Sequence, residues 1–389
     1  MIAIVAVGYN RPDTMSCLLQ SLTEADYCGD SVDLIVSVDR GNNQDSVIKV
    51  AESLEWIVGE KIIRKYEERQ GLRKHILACG DLTEQYDAVV VLEDDLIVSP
   101  SFYKYVKEAV LFYEKDDRIA GISLYSYAAN EFCDKVFQPV NNGYDTYMMQ
   151  VAQSWGQCWT KSMWNRFREW NFSDCENLPE RIADMPARIY RWGRTSWKKN
   201  FMAYIVSQDK YFVYPYVSFS TNRSEAGTHR DASTGDYQVT IVEGANIKEL
   251  NFARFEDSIK YDVYFERINV QLLQDEYKNK RVCMDLYGLK SKFENYDILF
   301  SSQALPYKLI MSIGLSFRPM EINCYRLVEG RGVFMYDITK KSSFPTERDL
   351  KLNRFAQLEY NTIAANWHLA LSYGIYGFFR AIKRRIRGQ

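Results

Sequence analysis

Short, unbroken apolar runs alternate with stretches of helical spacing over the first third of the chain. Ile2 to Val7 is a continuous apolar run, the pattern of a strand buried on both faces. Tyr9-Asn10-Arg11-Pro12 breaks it, and Pro12 marks a loop or a helix start. Met15, Leu18, Leu19 and Leu22 then recur on one helical face within Thr14 to Leu22. Asp33 to Val38 predicts a second strand, closed by the turn chemistry of Asp39-Arg40-Gly41-Asn42-Asn43. A helix over Ser46 to Leu54, a weaker strand over Lys61 to Arg64 and a helix over Leu72 to Cys79 follow. Ala88 to Leu92 is the most β-branched strand, with Glu93-Asp94-Asp95 directly behind it, and Ser99-Pro100 opens a helix reaching about Tyr113. Strands alternating with helices imply right-handed βαβ units and a mostly parallel sheet flanked by helices, an α/β fold.

The texture changes after Gly121. Six of the eight tryptophans fall between Trp155 and Trp197. Tyr211 to Ser218 reads as a strand and Thr221 to Ser233 as a polar loop. Beyond about 240 the pattern predicts a helix over Phe255 to Glu276, a strand over Asp297 to Ser301, a hairpin-like unit over Tyr325 to Asp337 and helical spacing over Asn353 to Arg387. The expected organisation is an α/β domain over residues 1–240 and a C-terminal α+β accessory region over 241–389.

Composition narrows the class. The 389 residues are 47% hydrophobic and 26% charged, which excludes a disordered chain, a collagen or a coiled coil. With 49 Lys and Arg against 51 Asp and Glu, the net charge of −2 leaves no global nucleic-acid footprint, so no nucleic-acid partner is expected. The eight cysteines contain no CxxC pair, and Cys17 and Cys79 read as reduced core thiols. Met1-Ile2-Ala3-Ile4 has no basic segment ahead of its apolar run, unlike a secretory signal. No apolar run approaches the roughly 20 residues of a spanning helix. These features together predict a cytoplasmic compartment.

Ligands of an open parallel sheet sit at the carboxyl ends of its strands. Those ends carry Arg11, Asp39 and Glu93-Asp94-Asp95. Three successive acids repel one another unless a hard divalent cation, which takes oxygen ligands, stands beside them. Arg11, with Arg73 and Lys74 on the following helix, offsets diphosphate charge. The pattern suits a nucleoside diphosphate chelated to Mn2+ or Mg2+. Neither GxGxxG nor GxxxxGK[ST] occurs, which removes ordinary dehydrogenases and P-loop kinases.

Three blocks, Ile4-Val5-Ala6-Val7-Gly8-Tyr9-Asn10-Arg11, Leu34-Ile35-Val36-Ser37-Val38-Asp39-Arg40-Gly41 and Val89 through Phe102, resemble in order and spacing the N-terminal half of the N-acetylglucosaminyltransferase I superfamily. Ser154-Trp155-Gly156-Gln157-Cys158-Trp159 and Thr221 to His229 resemble acceptor-side segments of its bacterial relatives. The resemblance spans about residues 1–235. It implies a GT-A fold and a glycosyltransferase that takes a nucleoside diphosphate sugar as donor and a glycan or lipid-linked oligosaccharide as acceptor, in capsule or O-antigen assembly. Asp39 would hold the base, Arg11 would line the nucleotide pocket, Asp94 would face the ribose or metal waters, and Asp95 would ligate the metal. Trp155, Trp159 and Trp197 are the candidates for stacking on an acceptor sugar.

One segment departs from that family. Where eukaryotic relatives place an acidic Trp-Asp-Asp-Trp segment, the nearest counterpart here is Ser196-Trp197-Lys198-Lys199, without a carboxylate. The candidates for deprotonating the acceptor are then Glu225, His229 and Asp231 of the polar loop. Two rivals stand beside this reading: a sugar nucleotidyltransferase, whose Gly-rich phosphate loop Gly8-Tyr9-Asn10-Arg11 does not supply, and a catalytically inactive glycan-binding or scaffold protein. At the C-terminus, Trp367, Leu371, Ile375, Phe378, Phe379, Ile382 and Ile386 share one broad helical face. Arg380, Lys383, Arg384, Arg385 and Arg387 follow with no acid after Glu359. This predicts a basic amphipathic helix peripherally bound to the inner membrane surface.

Overall fold

The apolar runs of the N-terminal third do form a central sheet in the computed structural model, which describes residues 1–171, 184–193, 195–223, 237–362, 374, 375 and 382. The chain divides into two compact units, Met1–Val270 with Leu289–Lys292, and Gln271–Gly288 with Phe293–Gln389. The first unit thus runs past residue 240.

In the first unit, β1 (Ile2–Gly8), β2 (Leu34–Val38), β3 (Lys61–Lys65) and β4 (Ala88–Glu93) are parallel neighbours in the order β3-β2-β1-β4. The helices between them are α1 (Pro12–Thr23), α2 (Gln44–Ser53) and α3 (Gly71–Gly80). Pro12 opens α1, where its missing N–H costs nothing. A short β5 (Leu96–Val98) and α4 (Phe102–Tyr113) lead to β6 (Ile119–Ser123) and the hairpin β7 (Ala129–Asn130) and β8 (Lys135–Val136). Next come β9 (Thr146–Met149), β10 (Gln157–Thr160), α5 (Lys161–Trp170), α6 (Ala187–Tyr190), α7 (Trp197–Ser207), β11 (Tyr211–Pro215), β12 (Ser220–Asn222) and β13 (Lys260–Tyr261). The full sheet has nine strands, β13-β9-β11-β6-β10-β4-β1-β2-β3, and β10 runs antiparallel to both β4 and β6.

Register sorts the side chains of this sheet into two faces. Ile4, Ala6, Val36, Val90, Leu92 and Cys158 look toward α1 and α4 and belong to one buried cluster with Met15, Leu18, Phe102 and Val106. The opposite face carries Ser37, whose Oγ meets Nε2 of His75 on α3 at 2.7 Å. Val89, Val90, Val91 and Leu92 are wholly buried. Each contributes on the order of 2 kcal/mol of apolar burial.

The stretch Phe255 to Glu276 is not the helix its composition predicts. The side chains of Tyr261, Val263, Tyr264 and Phe265 are all buried, a run of neighbours that no single helical face accommodates. Asp262 Oδ1 accepts the amides of Tyr264 and Glu266 at 2.8 and 3.0 Å, a local turn that competes with helix.

The second unit is built on a four-stranded sheet, β14-β15-β17-β16, of β14 (Val282–Asp285), β15 (Ile298–Ser301), β16 (Tyr307–Gly314) and β17 (Gly332–Lys341). Cys283, Phe293, Leu299, Phe334 and Tyr336 form its core. The expected hairpin over Tyr325 to Asp337 is corrected. Tyr325 ends α8 (Met320–Tyr325), and β17 takes its antiparallel partner from β16, earlier in the chain. The last helix, α9 (Glu347–Asn361), starts before Asn353 because Thr346 caps it, accepting the Asp349 amide at 3.2 Å. It ends at Asn361, with Thr362 extended. The expected membrane helix from Trp367 to Arg387 lies outside the described residues except for Gly374, Ile375 and Ile382. Among the described residues no helix is long and apolar enough to cross a membrane. The described cysteines are free thiols; Cys79 is buried as expected, but Cys17 is only half-buried.

Candidate active site

Parallel pairing brings three polar strand ends to one edge of the sheet. Gly8 lies beside Val38, and Val7 beside Glu93, so Tyr9-Asn10-Arg11, Asp39 and Asp94-Asp95 all leave from the same rim. The antiparallel β10 adds its first residue there, Gln157 opposite Val91. Asp95 runs straight into β5, which pairs with β12, and the Arg223 amide donates to the Asp95 carbonyl at 2.8 Å.

Asp39 is buried and does structural work at this edge. Its Oδ1 accepts the amides of Arg40 and Gln70, both at 2.8 Å, and its Oδ2 accepts the Gly71 amide at 2.9 Å. The carboxylate therefore anchors the N-terminus of α3, the end that tolerates negative charge. Arg73, half-buried, and Lys74, exposed, sit in the first turn of that helix. A carboxylate has about four acceptor positions, so one on Oδ2 remains. Next to Asp39, Gly41 is required by close approach: a Cβ there would stand 2.1 Å from Asn10 Oδ1 and 2.6 Å from Tyr9 Cε2. Asn10 Oδ1 accepts the Asn43 amide at 3.0 Å, and the Arg69 guanidinium lies 5.3 Å from the Tyr9 ring centroid.

The acids after β4 have three different environments. Asp94 is buried and its Oδ1 accepts from Arg11 Nη2. Burial nevertheless outweighs this partner and pushes the Asp94 carboxyl up to about 6. Glu93 points into the same side of the sheet as Gln157. Burial, then the neighbouring charges of Asp95 and Asp94, hold it far above the usual carboxylate range, with Arg11 and Lys198 opposing. Asp95 is the most open of the three. Its Oδ2 stands 3.4 Å from Arg11 Nη2, while its Oδ1 is buried with no hydrogen-bond partner. A buried carboxylate oxygen without a donor is the position a cation would satisfy. Among the described residues no group of three His, Cys, Asp or Glu side chains forms a complete metal cluster, so a cation here would take its other ligands from phosphate and water.

Beside this rim lies an aromatic chamber around an ion pair. Lys198, in the first turn of α7, donates to Glu131 Oε1 and Oε2 at 2.7 and 2.9 Å and to the Tyr127 hydroxyl at 3.2 Å. Its ammonium is within about 6 Å of the Tyr127, Trp155 and Trp192 rings, at 6.0, 6.0 and 5.5 Å from their centroids. Trp155 is half-buried and packs on Tyr125 and Tyr237, at centroid distances of 4.8 and 5.2 Å. Trp159 and Trp197 correct the expectation that they stack on a sugar. Both are buried, Trp159 wholly so, in a cluster with Trp164 and Phe201, and neither offers a ring face. Their positions on β10 and at the start of α7 send them under the sheet edge rather than over it.

The structure therefore gathers Arg11, Asp94 and Asp95, sets Asp39 with Arg73 and Lys74 at the start of α3, and leaves Trp155 half-buried where Trp159 and Trp197 are buried. Glu225, His229 and Asp231 lie outside the described residues. Tyr9, Arg69 and Glu131 were not singled out from sequence because each gains its meaning from a partner distant in the chain. Only Lys198 stood in a segment already suspect for its missing carboxylate.

No protein-family model matches the chain, and no curated protein does. Solved structures do. The mannosyltransferase PcManGT from Pyrobaculum calidifontis, in complex with GDP-Man and Mn2+, is 14% identical over 43% of this chain and 46% of its own, with a TM-score of 0.30. S. aureus TarS 1-349 is 13% identical over 55% of this chain and 60% of its own, TM-score 0.33. Mouse xyloside xylosyltransferase 1 is 9% identical over 55% of this chain and 84% of its own, TM-score 0.35. The chain thus spans about half the length of the first two neighbours. At these scores the neighbours do not specify an activity.

Proposed function

We propose that this chain is a nucleotide-sugar-dependent glycosyltransferase whose donor binds at the carboxyl edge of the first unit. The observation that carries the reading is the Arg11–Asp94–Asp95 cluster, with a buried, unpartnered carboxylate oxygen on Asp95. Asp95 would hold Mn2+ or Mg2+, and the cation would neutralise charge on the leaving diphosphate. The protein side chains do the rest. The remaining acceptor position on Asp39 suits one N–H of a base, and the Tyr9 ring beside it offers a stacking face. Arg11, Arg73 and Lys74 supply positive charge for the diphosphate. Asp94 has its Oδ1 committed to Arg11 and acts on the ribose side.

The acceptor belongs at the aromatic chamber. Trp155 gives an apolar ring for a sugar face, and Glu131 supplies beside Lys198 the carboxylate that the Ser196-Trp197-Lys198-Lys199 segment lacks. Glu225, His229 and Asp231 are the further candidates for taking the acceptor proton. We assign the acceptor to a glycan or lipid-linked oligosaccharide of surface polysaccharide assembly, with the chain held peripherally at a membrane by its basic C-terminal segment.

Thermal shift with UDP, GDP, CDP and their sugar derivatives, with and without Mn2+, tests the donor site. One nucleotide at 100 times its Kd stabilises the fold by about 2.7 kcal/mol, and Asp95→Asn should remove the Mn2+-dependent part. If no nucleotide shifts the wild-type chain, the reading fails.

A further inference from the structure

The helix α9 packs Leu350 on the apolar core of the second unit, but further along it buries polar side chains and exposes large apolar ones. Its inward row is Asn353, Gln357 and Tyr360, all buried. This row is held by polar bonds. Asn353 Oδ1 accepts the Gly332 amide at 2.9 Å, and Gln357 Nε2 donates to the Gly332 carbonyl at 2.6 Å. Arg318 donates to the Tyr360 carbonyl and lies 4.3 Å from its ring centroid. The outward row carries Phe355 and Leu358, which are 68% and 65% exposed. On a surface helix in water, large apolar side chains usually turn inward, so Phe355 and Leu358, set outward one turn from buried amides, indicate a contact surface.

The neighbouring charges indicate what makes that contact. On the exposed side, Lys351 lies one turn before Phe355, Arg348 two turns before it, and Arg354 one turn before Leu358. The exposed acids of the helix, Glu347 and Glu359, stand at its two ends. After Glu359 the sequence has no acid and five bases, Arg380, Lys383, Arg384, Arg385 and Arg387. Ile375 and Ile382 of that segment are themselves 50% and 38% exposed. Isolated large apolar side chains among bases, continued by a basic segment, are complementary to an anionic lipid surface.

We infer that the outer face of α9 is a docking surface for an anionic bilayer. Phe355 and Leu358 enter the boundary between headgroups and acyl chains, and Arg348, Lys351 and Arg354 meet lipid phosphates. The inference rests on the peripheral-membrane part of the proposed function and moves a principal contact from the Trp367-to-Arg387 segment onto a helix ahead of it in the chain.

Flotation of the full chain with vesicles of equal parts phosphatidylglycerol and phosphatidylcholine, beside vesicles of phosphatidylcholine alone, tests it. The wild type should float with the first and not the second. Phe355→Ser with Leu358→Ser should lower partitioning roughly tenfold. Both positions are exposed, so the melting temperature checks that the fold survives. A second full-length variant, with the five tail bases changed to Gln, measures the tail separately. If the α9 variant floats like wild type while the tail variant does not, the α9 surface is refuted and peripheral binding by the tail stands. If the wild type floats with neither vesicle, both fall. If the α9 variant converts a dimer to a monomer in light scattering with flotation unchanged, the face belongs to a second copy of the chain and the inference is overturned.

Discussion

The carboxyl edge of the first unit and the outer helix of the second both break the rule that apolar groups go inside, in opposite directions. At the sheet edge, Asp39, Asp94 and the Lys198–Glu131 pair are charges taken out of water. On α9, Phe355 and Leu358 are apolar side chains left in it. The two exceptions differ in cost. A buried charge without partners costs several kcal/mol, so each must be held by the fold or await a ligand. An exposed Phe costs the fold almost nothing, so it persists without a structural reason, and a partner for it is what the proposal supplies. Within the edge the same logic separates residues again. Asp39 is held in place by three amides, whereas Asp95 Oδ1 is buried without a partner, which is why the proposed cation is assigned to it.

The sharpest break of this comparison is Asp95→Asn. Turnover of a nucleotide-sugar donor should fall on the order of a thousandfold, since a lost charge at a site of developing charge is not replaced by an amide. The melting temperature should hold or rise slightly, because an unsatisfied buried carboxylate is removed. Near-normal turnover would return Asp95 to the framework.

Removing one member of the Lys198–Glu131 pair should cost about 3 kcal/mol, read from urea unfolding, because the other charge stays enclosed. The double change Lys198→Met with Glu131→Gln should recover most of it. If Glu131 also meets the acceptor, that double variant stays folded but loses transfer while keeping nucleotide binding.

His75 offers a pH test on the same edge. Burial pushes it down to about 4, with Asp39 opposing and Arg64 adding. Its ordinary pKa is about 6.5. As pH falls, the unfolded chain takes the proton first, so this stability is whole above pH 6.5 and drains as pH falls toward 4. The full difference is about 3 kcal/mol. Glu93 and Asp94, raised by burial, have the opposite sign, so the measurement is the difference between wild type and His75→Gln across that window. Parallel pH curves for the two chains would show that His75 takes its proton equally readily in the folded and the unfolded chain.

The smallest effects sharpen the contrast on α9. Asn353→Ala strands the buried Gly332 amide and should cost about 1–2 kcal/mol. Phe355→Ser should stay within about 0.5 kcal/mol of wild type. Equal costs at the two positions would mean that Phe355 is packed and the helix is not turned outward.

Much of the first unit was legible from pattern because its strands are buried on both faces. Continuous β-branched runs such as Val89-Val90-Val91-Leu92 have few other uses, and each ended on a polar turn that named Arg11, Asp39 and Asp94-Asp95. The second unit was less legible. Its longest strand, β17, pairs with a strand before α8, so the adjacent-hairpin reading of Tyr325 to Asp337 failed. The helix expected over Phe255 to Glu276 failed because side-chain capture of backbone amides by Asp262 outcompeted helical hydrogen bonds.

By itself, the sequence determined which strands are buried and which polar residues stand at their carboxyl ends, because burial on both faces writes itself as an apolar run and a turn ends it. Only the tertiary structure decided how each of those polar residues is used. Whether a carboxylate meets three amides, like Asp39, or an arginine, like Asp94, depends on chain segments dozens of residues away. The same holds for Trp155, half-open at the chamber, against Trp159, four residues on and wholly buried. Identical side chains differ there because Trp155 stands in the loop ahead of β10 while Trp159 lies within the strand and packs on Trp197 and Phe201 of α7, and only the packed sheet sets that distance from water.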